Sequence, residues 1–376
     1  MGTFALGITE FMTMGILGDL AHSMNISIDK AGRFISAYAL GVCFGAPALL
    51  FVRKMDLRRL MLYLAALITV GNALAAFAPG FWTLCIARFL SGAATRSILR
   101  SRCHSSPKTR LTPSKAVSAV SMMIAGMTVA TLGGVPLGTL VSNLLSWRVA
   151  YVIVAVSGIL NFIAIRFWVP QVDKLEDCGF KGQFRFMRTL PPWLIFGGIL
   201  LGQTGIYCWY SFIDPQLTLV SGFSRDAMSW LMVIAGFGMF AGNLIAGQLA
   251  DRFKPAGVAT CVQVCAIPVL ILFYFCADIK ICSVVLMMLG TAILFGSGGP
   301  LQSSIVGYSH GGEMLGAACI QIAYNAGNAI AAWLGGEIIR ETGDYLSPSI
   351  VGLPLIVIGS SLLFYLYRHY ERVRRA

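Results

Sequence analysis

Two ionisable side chains are the best placed inside apolar stretches of this sequence: Glu10 within GITEFMTMG and Arg88 within FWTLCIARFLSG. A charge at the centre of a lipid-facing helix costs at least ~2.5 kcal/mol on insertion scales. Neither residue is therefore expected to face lipid; each should face a bundle interior or water. Burial favours a protonated carboxyl and a nearby guanidinium favours a carboxylate, so a site alternating between those surroundings could load and release a proton. Glu10 is expected as the proton carrier, and Arg88 as its modulator or as a substrate anchor. The other reading is a fixed structural ion pair, or a Glu near the headgroups.

Neutral polar groups form a second set. Gln203, Tyr207, Trp209 and Tyr210 fall in one apolar stretch, and Gln321, Tyr324, Asn325 and Asn328 in another. Gln321, Asn325 and Asn328 recur at helical spacing, which puts them on one stripe. Amides and aromatic faces offer hydrogen bonds without a buried charge. They suit an uncharged, hydroxylated or amphipathic solute, and Gln203, Tyr207, Tyr210, Gln321, Tyr324, Asn325 and Asn328 are the expected cavity residues. The competing reading is interhelical glue, worth ~0.6 kcal/mol per contact on average. Asn72, Asn243 and Gln302 are weaker candidates.

The elements that must hold these groups are membrane helices. The chain has 376 residues, of which 57% are hydrophobic and 12% charged, with mean hydropathy +0.77. That composition is a polytopic membrane protein. The net charge of +12 would suggest nucleic acid in a soluble protein. Here the basic residues fall in alternate short loops, the positive-inside pattern, so orientation accounts for them and no nucleic-acid partner is expected. The ten Cys are scattered singly, which suggests neither disulfides nor zinc. The chain opens almost directly into apolar sequence with no basic n-region or cleavage site, so its start reads as a span and not a removable signal. That span is short and lacks preceding basic residues, which points to a natural start upstream of Met1.

The stretch from Ala116 to Val141 organises the rest: 26 residues without a charge, yet containing Gly126, Gly133, Gly134, Pro136 and Gly138. Small residues let a neighbouring helix come close, and Pro136 frees a carbonyl that a packed neighbour or water must satisfy. It reads as a packing seam between moving parts, or as a glycine-rich span with no mechanical role. Around it the sequence predicts twelve spans, with both termini on the basic side. The first six fall within residues 1–170 and the last six within 192–376, joined by a basic linker over 171–191. A basic turn follows the second span of each half, weak internal symmetry of the kind parallel transporter repeats carry. The fold expected is all-α, two six-helix bundles around a central cavity. One segment breaks the pattern: from Ala94 to Ser114 the sequence is basic and polar where the fourth span should continue. It is either a local reading-frame shift, testable by translating that window in the other two frames, or a real loop after a shortened helix.

At these residues the chain resembles the major facilitator superfamily, in its twelve-span drug:proton antiporter branch and the arabinose-efflux-permease subgroup. GQLADRF at Gly247 to Phe253 matches the family's G-x-L-A-D-R signature. The resemblance implies a latch there, with Gly247 permitting close approach while Asp251 and Arg252 make a charge-relay contact that breaks on rocking. In the first half Leu50 and Lys54 stand where the glycine and aspartate would be, though Arg58 and Arg59 keep the basic end. RFLSG at Arg88 to Gly92 matches the intramembrane R-x-x-x-G. Gly126, Gly134, Pro136 and Gly138 are similar to the antiporter G-P-x-x-G motif, with Val135 interrupting it, and Trp147 and Arg148 match the residues that commonly follow.

What the resemblance implies is proton-coupled efflux of a sugar or small amphipathic solute by alternating access. It also implies a monomer in the bacterial cytoplasmic membrane whose partners are solute, protons and the lipid bilayer. No nucleotide-binding G-x-x-x-x-G-K-[ST] is present, nor H-E-x-x-H or G-x-S-x-G, so no cofactor and no enzymatic activity are expected. The reading from a different class is a non-transporting sensor, or an inactive remnant on a transporter scaffold.

Overall fold

The computed structural model describes residues 2–51, 56–94, 129–168, 184–309 and 312–371. Among them the structure is helical, without strands. All of the basic segment after Ala94, the organising stretch up to residue 128 with Gly126, and the linker up to residue 183 lie outside the described residues.

The first expected span is two helices, α1 (Gly2–Gly15) and α2 (Leu17–Ser23), broken at Ile16 (φ −124°, ψ 19°). α3 runs Ile28–Phe51 and α4 Leu57–Ala76. Asp56 caps α4, its carboxylate accepting the Arg58 N–H and satisfying one of the helix's open donors. α5 (Phe81–Ala93) is the fourth helix, only 13 residues long. The described part of the fifth span begins at Val129 and runs through a π-helical turn, Ala130–Gly134, into α6 (Val135–Leu144). Pro136 cannot donate to the ladder, and the wide turn lies immediately before it. α7 is Trp147–Trp168.

In the second half α8 (Leu190–Tyr210) starts on Pro191 and Pro192, which a first turn tolerates because its N–H groups are open anyway. α9 is Met228–Arg252 and α10 Pro255–Cys276. The tenth span divides into α11 (Lys280–Gly296) and α12 (Gly298–Tyr308). α13 (Glu313–Thr342) ends at Gly343, whose φ of +68° is a left-handed position glycine tolerates best. α14 (Leu353–Leu366) follows a short turn at Ser347–Val351.

Helical segments thus stand at all twelve expected positions. Among the described residues, six are long and apolar enough by themselves to cross a membrane, including α4, α7, α10 and the twelfth span. The outward face of α7 explains why: Val152, Val156, Ile159 and Ile163 are exposed at helical spacing, the reverse of a water-soluble helix. Exposed Trp82 and Trp230 near one end of the bundle and Trp168 and Trp193 near the other form the aromatic girdles of an interface. α3 begins earlier than apolarity alone predicts. Asp29, Lys30 and Arg33 occupy its first turns, and Arg33 meets Glu337 of α13 at 3.5 Å at the bundle rim.

Two seams join the halves. α3 runs along α13: Ser36 Oγ donates to the Ala329 carbonyl at 2.9 Å, and Cys43 Sγ to that of Ile322 at 3.6 Å. The fifth span crosses α9 where Gly236 lies so near Thr131 that a Cβ would fall 2.4 Å from its carbonyl oxygen.

Candidate functional site

Arg88 is fully buried in α5 and Glu10 is 5% exposed in α1. Arg88 Nη1 donates to the Thr9 carbonyl at 2.8 Å and Nε to the Phe34 carbonyl at 3.5 Å. Its guanidinium lies over the Tyr38 ring at 4.4 Å and the Tyr151 ring at 5.9 Å. Tyr151 in turn bonds Thr13 at 2.9 Å. A buried cation thus draws on carbonyl dipoles and ring quadrupoles, which keep it solvated and tie α1, α3, α5 and α7 together. Arg88 meets the backbone one residue before Glu10. Ion pairs across the halves, among the described residues, are Arg33 with Glu337 and Asp19 with Arg225.

Gln203 is buried in α8, its Nε2 donating to Ser297 Oγ at 2.5 Å at the joint between α11 and α12. Trp209 turns into the second half, with Phe273 at 5.4 Å edge-on and Gly290 making room for its ring. Tyr207 and Tyr210 are buried beside it.

On α13 the geometry is set by its neighbours. Ser36 and Cys43 of α3 bond the carbonyls of Ala329 and Ile322, whereas Thr204 and Cys208 of α8 bond those of Gly327 and Ala331. At about 100° per residue, Gln321, Asn325 and Asn328 fall on the face between these two contacts. Ile330, on the opposite side, is exposed. Asn325 Nδ2 is bonded to the Gln321 carbonyl at 3.0 Å. The amide oxygens of Gln203, Asn325 and Asn328 are buried without a hydrogen-bond partner among the described residues. Such acceptors are costly unless a solute or water meets them.

Of the packing residues, Gly134 closes the π turn, and Pro136 and Gly134 are buried. Gly138 abuts α1, where a Cβ would sit 2.6 Å from Met12 Sδ. Where the fifth span crosses the other half, the close approach is Gly236 of α9 against Thr131, and no sequence motif marks Gly236. Gly247 faces open space, and Asp251 and Arg252 are exposed and outside any ion pair among the described residues.

The end of the bundle opposite the basic turns, called outer below, is closed by groups that hydropathy treats as loop. Asp214 Oδ2 accepts the Gly18 N–H at 2.5 Å. Asp19 takes the Ser142 hydroxyl at 2.8 Å, and Asn143 donates to the Arg225 carbonyl at 2.6 Å. They surround a cavity of about 560 Å³.

The model of the Major Facilitator Superfamily matches residues 1–318. A relative in Escherichia coli strain K12, named "Putative transporter AraJ", is 37% identical over 100% of this chain and 95% of its own length. A Helicobacter pylori protein named "Probable sugar efflux transporter" is 28% identical over 73% of this chain and 70% of its own. Among solved structures, a bacterial homolog of the human lysosomal transporter Spinster, in an inward-facing and unoccupied conformation, superposes with TM-score 0.74 at 16% identity. It covers 98% of this chain and 96% of that one.

Proposed function

The chain belongs to the major facilitator superfamily of membrane transporters, and from that premise we propose that it exports a sugar or small amphipathic solute in exchange for protons. In this reading residues 1–170 and 192–376 rock against each other, with 171–191 as the linker. The protein works as a monomer in the bacterial cytoplasmic membrane, both termini inside. The observation that carries the proposal is the buried pairing of Arg88 with the backbone at Thr9, which sets a fixed cation beside Glu10 within one water-excluded bundle.

Glu10 is the proton carrier and Arg88 its modulator. The solute side rests on the unpartnered amide oxygens of Gln203, Asn325 and Asn328, which suit hydroxyl donors, and Tyr207, Tyr210, Gln321 and Tyr324 are the further cavity residues of this reading. The printed name of the Helicobacter pylori relative supports a sugar. Ion pairs across the outer end, together with the disengaged Gly247, Asp251 and Arg252, support an arrangement closed outside and unlatched inside. The decisive experiment is Glu10→Gln in everted vesicles, scored by proton-coupled efflux. Coupling should be lost; unchanged coupling removes Glu10 from the mechanism.

A second reading has one observation in its favour: the sequence from Ala94 to Ser114, where the fourth span should continue, is basic and polar. A non-transporting protein on the same scaffold would insert and fold, yet show no solute flux under any gradient.

A further inference from the structure

Asp214 stands in the outer connection between α8 and α9, in the single turn Ile213–Pro215, and is 6% exposed. Its carboxylate reaches across the halves to the Gly18 N–H, just past the break in the first span. Gly18 has no space for a side chain there, since a Cβ would lie 2.8 Å from Asp214 Oδ2. The guanidinium nearby, Arg225, is engaged by Asp19 at 3.5 Å. Among the described residues the Asp214 carboxylate is in no ion pair, although it closes one wall of the outer cavity.

We propose that Asp214 is a proton-binding site served from the outer solution, and that the bound proton holds the outer vestibule shut. The proposal rests on the alternating-access reading above.

The charged and titratable groups that face Asp214 are few. α2 presents Asp19 and His22, and α3 presents Asp29. Arg225 comes from the turn before α9, Arg340 from α13, and Tyr345 from the turn beyond it. The π turn Gln216–Val220 and the last turn of α1 carry no charged side chain. Burial pushes the Asp214 carboxyl up to about 7; the Gly18 bond and Arg225 act against that, and Asp19 with it.

When the vestibule opens to water, the same carboxyl returns towards its ordinary value near 3.8. The closed form therefore holds the proton more tightly, and acid favours closure. Lowering the outer pH from 7.5 to 5.5 should raise the closed-to-open ratio roughly 25-fold, from the two affinities by linkage. The gain disappears above about pH 8, and it stops growing below about pH 4, where both forms are protonated. The proton enters from outside on closing and returns there on opening, so it biases the cycle without being carried across. In an exporter, closing after solute release is the step an acidic exterior should then favour.

The test is hydrogen–deuterium exchange of the full chain in nanodiscs from pH 5.5 to 8.5, with labelling times scaled to the intrinsic exchange rate. Peptides covering residues 16–24 and 211–220 report closure. Protection should fall as pH rises through about 7 in the natural chain, and Asp214→Asn, a neutral isostere, should stay protected throughout. His22→Gln removes the imidazole on the cavity wall and should leave the profile intact. A flat profile in the natural chain overturns the proposal, as does an unchanged profile in Asp214→Asn or one abolished by His22→Gln. The readout needs no transport. pH-linked closure without proton-coupled efflux would remove the exporter reading alone, and coupled efflux with a flat profile would remove only this one.

Discussion

Arg88 donates to the carbonyl oxygen of Thr9 at 2.8 Å, so a guanidinium buried in α5 grips α1 one residue before Glu10. A helix carbonyl keeps its own ladder bond and still has a lone pair to offer. The cation is thereby held by a backbone carbonyl at that point. Tyr38 and Tyr151 complete the solvation of the charge from two further helices.

Removing that grip should cost stability. Arg88→Ala deletes two charge-assisted bonds and the aromatic contact, an expected loss of about 2–4 kcal/mol. Arg88→Lys keeps the charge but not the planar fork, and should recover only part of it. Thermal unfolding of the detergent-purified protein measures both; an alanine variant that melts with the parent would show the contact to be idle.

The two glycines Gly236 and Gly247 make a contrasting pair. A Cβ at Gly236 meets backbone at 2.4 Å, so Gly236→Ala must push α9 away from the fifth span. Overpacking of this kind costs about 1–3 kcal/mol, and transport should fall at least tenfold. Gly247 has nothing within 4 Å, so Gly247→Ala should not lower the melting temperature. It should still slow turnover if the GQLADRF latch engages in the opposite state of the cycle. Equal melting losses in the two variants would contradict the packing described here.

The fold was legible because hydropathy runs and basic turns are one-dimensional signals. Residues facing lipid must be apolar, as Val152, Val156, Ile159 and Ile163 are, and their spacing gives the helix away. Arg88 was legible for the converse reason, its cost in lipid. What the sequence concealed is relational. Gly236 resembles any other glycine until Thr131 is brought against it, and the Asn325 and Asn328 stripe acquires a direction only from α3 and α8. Asp214 reads as an outer-loop acid, because nothing in the sequence tells that Gly18, 196 positions away, supplies its hydrogen bond. Of the motif glycines, Gly138 packs on Met12 within its own half, while the fifth span meets the other half where Gly236, outside any motif, lies against Thr131.

The amide stripe yields a kinetic prediction. If the Asn328 oxygen receives a solute hydroxyl, Asn328→Ala should raise KM about 5- to 30-fold, equivalent to ~1–2 kcal/mol, with a smaller change in kcat. Thr291 serves as the control. Its hydroxyl donates to the Met287 carbonyl at 3.0 Å inside the second half, so Thr291→Ala should lower the melting temperature and leave KM alone. Efflux kinetics in vesicles separate the two, and the same KM for Asn328→Ala as for the parent assigns that residue to helix packing.

Glu337 tests the outer closure independently of Asp214. Its Oε1 lies 3.5 Å from Arg33 of the other half, and its Oε2 is engaged by Arg340 one turn along α13. With Arg33 42% exposed, the cross-half pair is worth at most about 1 kcal/mol, so Glu337→Gln should shift the closed-to-open ratio by no more than about fivefold. Its signature is salt. Screening shortens from ~10 Å at 0.1 M to ~3 Å at 1 M ionic strength, so the natural chain should lose protection over residues 28–36 as salt rises. Glu337→Gln should begin lower and stay flat. Hydrogen exchange at fixed pH reads both curves, and a natural chain whose closure ignores salt would leave the outer end to the Asp214 and Gly18 bond and to the packing of α3 on α13.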